Sequence, residues 1–488
     1  MIQRVLLVGD VGGLCGFHVG DEAMLESNLA LLRRLLPEAR FTATSLDPSA
    51  TRRFYGIDAV PGLRFDAVSA SREVELQSID GWLDTARSGS RELPEALQVL
   101  LETDLLVISG GGNLCSSWPG HILQRLALVR LARYAQIPVL IVGQTLGPVL
   151  CEVDQALVAE ILEAASWLGL REASSVALAL RLGVPLERID FQLDDAITLS
   201  AAPCAPGVIP VNRCGPLVAL TLHSLFAGAE TDAWLDHLAA ELDLLIEQTA
   251  AHILFIPHLS DLDEGVDGGD YAVGLALLGR LANPRSLTLL NVQASAQTLW
   301  LTRQADVVVS SRYHPLVFAL TAYKPCLGLP CDRYTLVKLH GALSHAGREA
   351  DLLPLAGGRW EGLGKRIIDL CERRYSAAQS AAWQASLQER SSGRERRLAM
   401  FLADLQGQSG GVGSTVTDLA RLIDALARIV TVPELFSATR EFELQQMRLI
   451  EHWQSTALEA ERYVLDLKRE LAVKERQLLA LGPMVPQG

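Results

Sequence analysis

Residues Ala305–Gly341, ADVVVSSRYHPLVFALTAYKPCLGLPCDRYTLVKLHG, decide the fold. Val307–Val309 is an apolar β-branched run without polar alternation, the pattern of a parallel strand covered by helices on both faces. The run stops at Ser310-Ser311-Arg312-Tyr313-His314, so a guanidinium and an imidazole emerge at the carboxyl end of a strand. Ligands of open α/β sheets bind at that edge. Pro315 is a favourable first helical residue for the apolar run Leu316–Leu320. A second short strand is expected at Cys326–Leu329, followed by Asp332 and Tyr334 in a loop and then Lys338. The competing reading of Arg312 and His314 is a plain sheet-edge cap, and the Asp and Lys downstream weigh against it.

The same alternation of apolar runs and helical patterns extends in both directions. Strands are expected at Val5–Val8, Phe41–Ser45, Leu105–Ser109, Val139–Val142 and Trp167–Leu170, with helix-length stretches such as Asp21–Leu36 and Ile122–Ala135 between them. This is the signature of a doubly wound parallel sheet. A second set begins at Leu217–Leu222 and continues through His252–Ile256, Ser286–Leu290 and Val307–Val309. Between the sets, residues 201–216 (AAPCAPGVIPVNRCGP) are rich in Pro and Gly. The expected organisation is therefore an α/β domain over 1–204, a linker at 205–216 and a second α/β domain with trailing helices over 217–400. No repeat of 20–50 residues is evident, so a solenoid is excluded.

Five stretches, in order, carry a resemblance. They are GDEAML (Gly20–Leu25), SGGGNL (Ser109–Leu114), GQTLGP (Gly143–Pro148), the run Arg171–Ala196 with REASS, LRLGV and DDA, and the Ala305–Gly341 block with Ser310, Arg312, His314, Ala319, Pro325 and Lys338. Over roughly residues 1–345 the chain resembles the polysaccharide pyruvyltransferase family. The resemblance implies two Rossmann-like domains facing each other across a cleft, the GT-B-like arrangement. It also implies an enzyme that moves the enolpyruvyl group of phosphoenolpyruvate to a sugar of a cell-surface polysaccharide precursor and closes it as a ketal. Its partners would be phosphoenolpyruvate and a sugar or glycan acceptor. No separate cofactor and no metal are expected. The family often carries N-x-G-D where this chain has His18-Val19-Gly20-Asp21, so the contacts of that loop are open.

Such chemistry needs fixed cations for a carboxylate and a phosphate, together with an acid and a base. Arg312 suits bidentate anion binding, and Lys338 a point charge on phosphate. His314 titrates near neutrality and could carry a proton. Asp21, opening a helix after the glycine-rich loop Gly9–Gly20, is the second candidate for proton transfer or for holding a sugar hydroxyl. Its neighbour Glu22 reads as a helix-dipole partner. Gly111 and Gly112 offer bare backbone at a strand end, and Asn113 and Gln144 add polar side chains on the same edge. Arg171 is either a cleft cation or the partner of Asp194 or Asp195. His258 follows a strand in the second domain and is a further substrate-binding candidate. With His223 and the acidic Asp261, Asp263 and Glu264 it raises a metal site, but the spacing fits no standard one.

Composition narrows the partners. A net charge of −14 without a basic patch argues against nucleic acid. The eight cysteines show no CxxC spacing, and reduced thiols are the default reading, with a Cys326–Cys331 bridge disfavoured. The chain opens directly on the Val5–Val8 strand without the charged and apolar regions of a leader, and no apolar run approaches the roughly 18 residues that span a bilayer. A cytoplasmic protein is expected, with docking at the inner membrane face left open because lipid-linked sugars would be substrates.

The tail differs in kind. Residues 407–414 (GQSGGVGS) read as a flexible breaker and 415–481 as helical. From Phe442 onward, Ile450, Trp453, Ala457, Ala460, Val464, Leu467, Leu471, Lys474, Leu478 and Leu481 fall at alternating steps of three and four. That is a coiled-coil seam and predicts a homo-oligomer. The alternative is one amphipathic helix packed back on the catalytic domains. Two other classes of function stay open: a glycosyltransferase using a nucleotide sugar in the same cleft, and a non-catalytic homologue acting through its coiled coil.

Overall fold

In the computed structural model, the described residues are 2–12, 17–65, 72–90, 92–211, 213–223, 231–260, 269–356, 358–373 and 375–407, with Arg421, Leu422 and Ala425. The coiled-coil seam, Asp261, Asp263 and Glu264 lie outside them, as does most of the 407–414 breaker.

The strands in chain order are β1 (Arg4–Val8), β2 (Phe17–His18), β3 (Arg40–Ser45), β4 (Asp58–Pro61), β5 (Leu105–Ser109), β6 (Val139–Gln144) and β7 (Trp167–Leu170). They continue with β8 (Ile189–Phe191), β9 (Leu217–Thr221), β10 (His252–Phe255), β11 (Leu259–Ser260), β12 (Leu287–Leu289), β13 (Val307–Ser310) and β14 (Cys326–Gly328). A seven-stranded sheet runs β4-β3-β1-β5-β6-β7-β8, and a five-stranded sheet runs β12-β10-β9-β13-β14. Every pairing within both sheets is parallel. Strand order reverses between β1 and β5 in the first sheet and between β9 and β13 in the second, which puts a ligand-binding crevice at each reversal.

The buried strands explain the unbroken apolar runs. One face of the first sheet packs Leu6, Ile108 and Ile141 with Leu123 and Ile161, and the other packs Leu7, Val107 and Leu140 with Leu25 and Leu32. The second sheet is likewise covered on both sides. One of its clusters is shared between the domains: Phe17, Val19, Ala23 and Met24 from the first pack with Leu316, Phe318 and Leu336 from the second. The amino-terminal end of the Val19–Leu35 helix is therefore built into the interface.

Two further devices join the domains. β2 and β11 form an antiparallel ribbon, His18 opposite Leu259 and Phe17 opposite Ser260, and the Val19 amide donates to His258 O at 2.9 Å. The Ala377–Leu405 helix starts with a Ser376–Gln379 capping box and straps across both domains. Trp383 Nε1 donates to Leu320 O in the second domain at 2.7 Å, while Leu398 and Leu402 enter the core of the first and Phe401 packs on Trp167.

Two local expectations change. The helix after β13 begins at Tyr313, with Arg312 as its N-cap, two residues ahead of Pro315. Asp332 and Tyr334 are not in a loop: Asp332 caps the Arg333–Ser344 helix through a capping box with Thr335, which places Tyr334 and Lys338 on one face, four residues apart. Cys326 and Cys331 are free thiols. No helix among the described residues is long and apolar enough to cross a membrane.

Candidate active site

The first wall of the cleft grows from the ends of β1, β5, β6 and β7. After β5 the chain turns through Gly110, where a Cβ would overlap the Val142 and Gly143 backbone of the next strand. Gln144 Nε2 donates to Gly111 O at 2.8 Å and to Asn113 Oδ1 at 3.2 Å, and Asn113 Nδ2 donates to Asp10 Oδ2 at 2.6 Å. Asp10 in turn accepts two bonds from buried Arg125, at 3.0 and 3.1 Å, and lies 3.1 Å from His121 Nδ1. Burial alone would raise the Asp10 pKa, but Arg125, His121 and Asn113 outweigh it and hold the carboxyl well below the usual range. The glycine turn is thus fixed by an ionised hub.

Arg171, fully buried after β7, is the partner of Asp194. Its Nε donates to Thr145 Oγ1 at 2.8 Å and to Glu172 Oε1 at 3.0 Å, and its Nη1 to Asp194 Oδ2 at 2.5 Å. The guanidinium stacks 4.2 Å from the centre of the Tyr313 ring, and its Nη2 has no hydrogen-bond partner. Burial works against the charge, yet Tyr313, Glu172 and Asp194 together raise the pKa. Asp195, the alternative partner, binds Arg394 of the strap helix instead, at 2.7 Å.

Across the cleft, His314 stands in the first turn of its helix with Nε2 3.7 Å from Asp194 Oδ2 and no hydrogen bond. Its imidazole lies directly on Gly20, where any Cβ would overlap Nδ1. Burial first, and Arg171 second, push its pKa well below the ordinary value, so the ring is neutral. Asp21, the next residue, lies over bare Gly111: its Oδ1 is 3.5 Å from where a Cβ there would start. His18 Nδ1 is 3.3 Å from the Asp21 amide and 3.0 Å from Oδ2. In one tautomer it caps the helix, and in the other it donates to the carboxylate. Burial raises the Asp21 pKa, and His18 more than reverses the effect.

Lys338 Nζ is 3.1 Å from Tyr334 Oη, which donates to Gly112 O at 2.6 Å and so ties the second domain to the glycine turn. The ammonium lies 4.5 Å from the centre of the Tyr334 ring and 5.6 Å from that of Tyr313. Burial, and then the neighbouring Arg171, push its pKa down to about 8. The edges of both sheets therefore bring Asp21, Gly111, Gly112, Asn113, Gln144, Arg171, His314 and Lys338 into one cluster.

The polysaccharide pyruvyl transferase model matches residues 18–333, most of the chain. The protein belongs to that family. No curated protein matches the sequence. Among solved structures it is similar to the S. aureus MnaA–UDP co-structure, with a TM-score of 0.56 and 12% identity over 85% of this chain and 100% of that one. It is similar in the same way to a putative UDP-N-acetylglucosamine 2-epimerase from Listeria monocytogenes, with a TM-score of 0.56 and 13% identity over 86% and 100%. The Neisseria meningitidis UDP-GlcNAc 2-epimerase bound to UDP-GlcNAc follows at 0.51 and 12% over 83% and 100%. At these identities the likeness shows the shared GT-B-like fold.

Two residues of this pyruvyl transferase family member sit differently from the sequence expectation. The fork of Arg312 does not point at an open anion site: Nε and Nη2 donate to Asp270 at 2.6 and 2.5 Å. Asp270 is fully buried and needs a cation; it also accepts from the His258 and Leu259 amides at 3.0 Å each. His258 is buried behind the ribbon, its Nε2 without a partner, its ring 5.8 Å from Phe318 and its pKa pushed well down by burial and then Arg312. His223 is not beside it in a ligand set but bonded to Ser311 Oγ at 2.7 Å and 3.3 Å from Cys331 Sγ. Among the described residues no group of three or more His, Cys, Asp or Glu converges as metal ligands do.

Sequence reading passed over Asp10, which follows β1 as Gly110 follows β5 and so lies at the strand reversal. In the sequence Asp194 reads only as a salt-bridge partner; in the structure it joins Arg171 to His314. Glu22 stands in the first turn of its helix and has further partners there. It is buried, accepts from the Gly12 amide at 2.7 Å, and bonds Tyr55 Oη.

Proposed function

We propose that the protein transfers the enolpyruvyl group of phosphoenolpyruvate to two hydroxyls of a sugar in a polysaccharide precursor, forming a pyruvate ketal and releasing phosphate. The observation that carries this reading is the convergence of two cations, Arg171 and Lys338, with an unbonded imidazole nitrogen and an ionised carboxylate at one cleft edge.

In this reading Lys338 and the free Nη2 of Arg171 hold the phosphate and carboxylate of the donor, with the Gly111–Gly112 backbone and Asn113 alongside. His314 is neutral while the site holds only its own cations. The arriving anion raises its proton affinity, and the imidazolium then delivers a proton to the methylene carbon. A sugar hydroxyl adds to the resulting cationic carbon and gives its proton to Asp21 or to the regenerated imidazole. The carbon–oxygen bond to phosphate breaks, and a second hydroxyl closes the ring. One hydroxyl proton ends on the new methyl group, and the other leaves with phosphate. Arg312, paired with Asp270, adds field and its remaining Nη1. Gln144 holds the glycine turn, and His258 anchors the ribbon.

The test is incubation with phosphoenolpyruvate and a panel of lipid-linked and nucleotide-linked sugars. Phosphate release and a product heavier by one pyruvate less one water support the reading. Thermal protection by UDP or a UDP-sugar but none by phosphoenolpyruvate would replace it with nucleotide-sugar chemistry on the same fold.

A further inference from the structure

Behind the cleft, on the far side of the Asp194 segment, lies a cavity of about 380 Å³ between the Val19–Leu35 helix, residues 191–198 and the middle of the strap helix. That volume falls at the small end of the roughly 300–1,000 Å³ common for ligand pockets. Its lining includes six arginines, Arg34, Arg390, Arg394, Arg396, Arg397 and Arg421, in a chain whose net charge is −14. The carboxylates that share the lining are each held by an arginine: Glu395 by Arg34, Glu389 by Arg421 and Asp194 by Arg171.

Three donors are left over. Arg397 spends Nε and Nη2 on buried Asp190, and its Nη1 points over Gly393, 3.3 Å from where a Cβ would start. Arg396 Nη2 approaches the same point at 3.9 Å, and Arg396 has no ion-pair partner among the described residues. Arg394 uses Nη2 on Asp195 and keeps a buried, unbonded Nε. Two like charges this close repel each other, and an anion between them would relieve the repulsion. The helix is also weakened there. Ser391-Ser392-Gly393 places poor helix formers inside the continuous helix, of which glycine alone costs about 1 kcal/mol against alanine. A large side chain at Gly393 would fill the space.

We propose that this cavity binds a small phosphorylated metabolite, a second anion site separate from the cleft and separated from it by Asp194 and Asp195. The geometry suits a phosphate or diphosphate group over Gly393, with Arg396 and Arg397 as its fork and the remaining volume for a small organic moiety. The site does not depend on which reaction the cleft performs.

The test uses the full chain, inorganic pyrophosphate as probe, and potassium chloride matched for ionic strength. Pyrophosphate is expected to raise the melting temperature of the wild type, and still to raise that of Lys338→Met, whose cleft cation is gone. The rise that Lys338→Met keeps should vanish when Gly393→Leu is added to it, because the leucine covers the point where the two guanidinium groups meet while improving helix propensity. In Arg396→Gln, an exposed and fold-neutral change, binding should weaken about tenfold, the loss of one charge-assisted hydrogen bond. A rise that is lost in Lys338→Met but kept in Gly393→Leu would place the anion in the cleft and overturn the proposal. No rise above the chloride control in the wild type would do the same.

Discussion

Replacing Gly20 with alanine is expected to silence the enzyme while leaving it folded. The added methyl would overlap Nδ1 of His314, so either the ring or the helix start must move. Overpacking of this kind costs about 1–3 kcal/mol. Removing glycine from a helix returns roughly 0.5–1 kcal/mol. The net loss of stability is therefore small, on the order of 1 kcal/mol. Activity should respond far more, because a displacement of about 1 Å in a reacting group can cost on the order of a hundredfold in rate. The control is Gly81→Ala, in the middle of the Arg72–Arg87 helix, where a new Cβ meets nothing within 4 Å. That variant should be slightly more stable and fully active. The assay is initial-rate phosphate release from phosphoenolpyruvate with an acceptor, beside urea unfolding of all three proteins. A Gly20→Ala enzyme with wild-type turnover and unchanged stability would show that His314 does not rest on Gly20 in solution, and the proposed proton donor would fall with it.

Other consequences can be measured directly. Lys338, with its pKa pushed down to about 8, is a cation below that pH and neutral above it, so kcat/KM for the anionic donor should fall as pH rises through 8. Lys338→Arg should move that limb to higher pH, and a limb that stays in place assigns it to another group. Asp270→Asn leaves Arg312 without its counter-charge and should cost about 3–5 kcal/mol in urea unfolding, whereas a loss below about 1 kcal/mol would mean that the pair is not formed. Glu22, pushed up to about 7 mainly by burial from an ordinary 4.5, favours the folded state when protonated. Its contribution is full below pH 4.5 and lost as pH rises through 7. Glu22→Gln should then reduce the stability difference between pH 5 and pH 8 by about 2–3 kcal/mol, and an unchanged difference would contradict the burial of its charge.

The parts of the fold that could be read from the chain are those set by continuous runs. Leu105–Ser109 and Trp167–Leu170 are strands to the residue because parallel strands buried on both faces leave no polar interruption. The shortest pieces could not be read: β2 and β11 are two residues each, too brief for any periodicity. Partner choice was equally hidden. Arg312 and Asp270 lie 42 residues apart, and Asp270 opens a helix, where a carboxylate ordinarily needs no more explanation than the dipole. Asp10 reaches Asn113 across 103 residues of chain, so only the strand order makes them neighbours.

The glycines explain why the motif residues are scattered along the chain yet converge in the fold. Gly20 leaves room for His314 of the other domain, and Gly112 leaves room for Tyr334 and Lys338. Gly341 reverses the direction: it belongs to the second domain and makes room for Glu172 of the first. In each case the missing side chain is the space into which a polar group from across the cleft is inserted. A glycine at a strand end reads in isolation as a tight turn or a phosphate cradle. Here the structure gives three of them a different use, close approach between two domains, and that use depends on the ribbon and the strap helix that hold the domains together. A substitution at any of the three should therefore act on the facing domain's residue rather than on its own turn, and the defect should be relieved in part by shortening that partner, as in Gly112→Ala combined with Tyr334→Phe, which removes the hydroxyl that the new methyl would overlap.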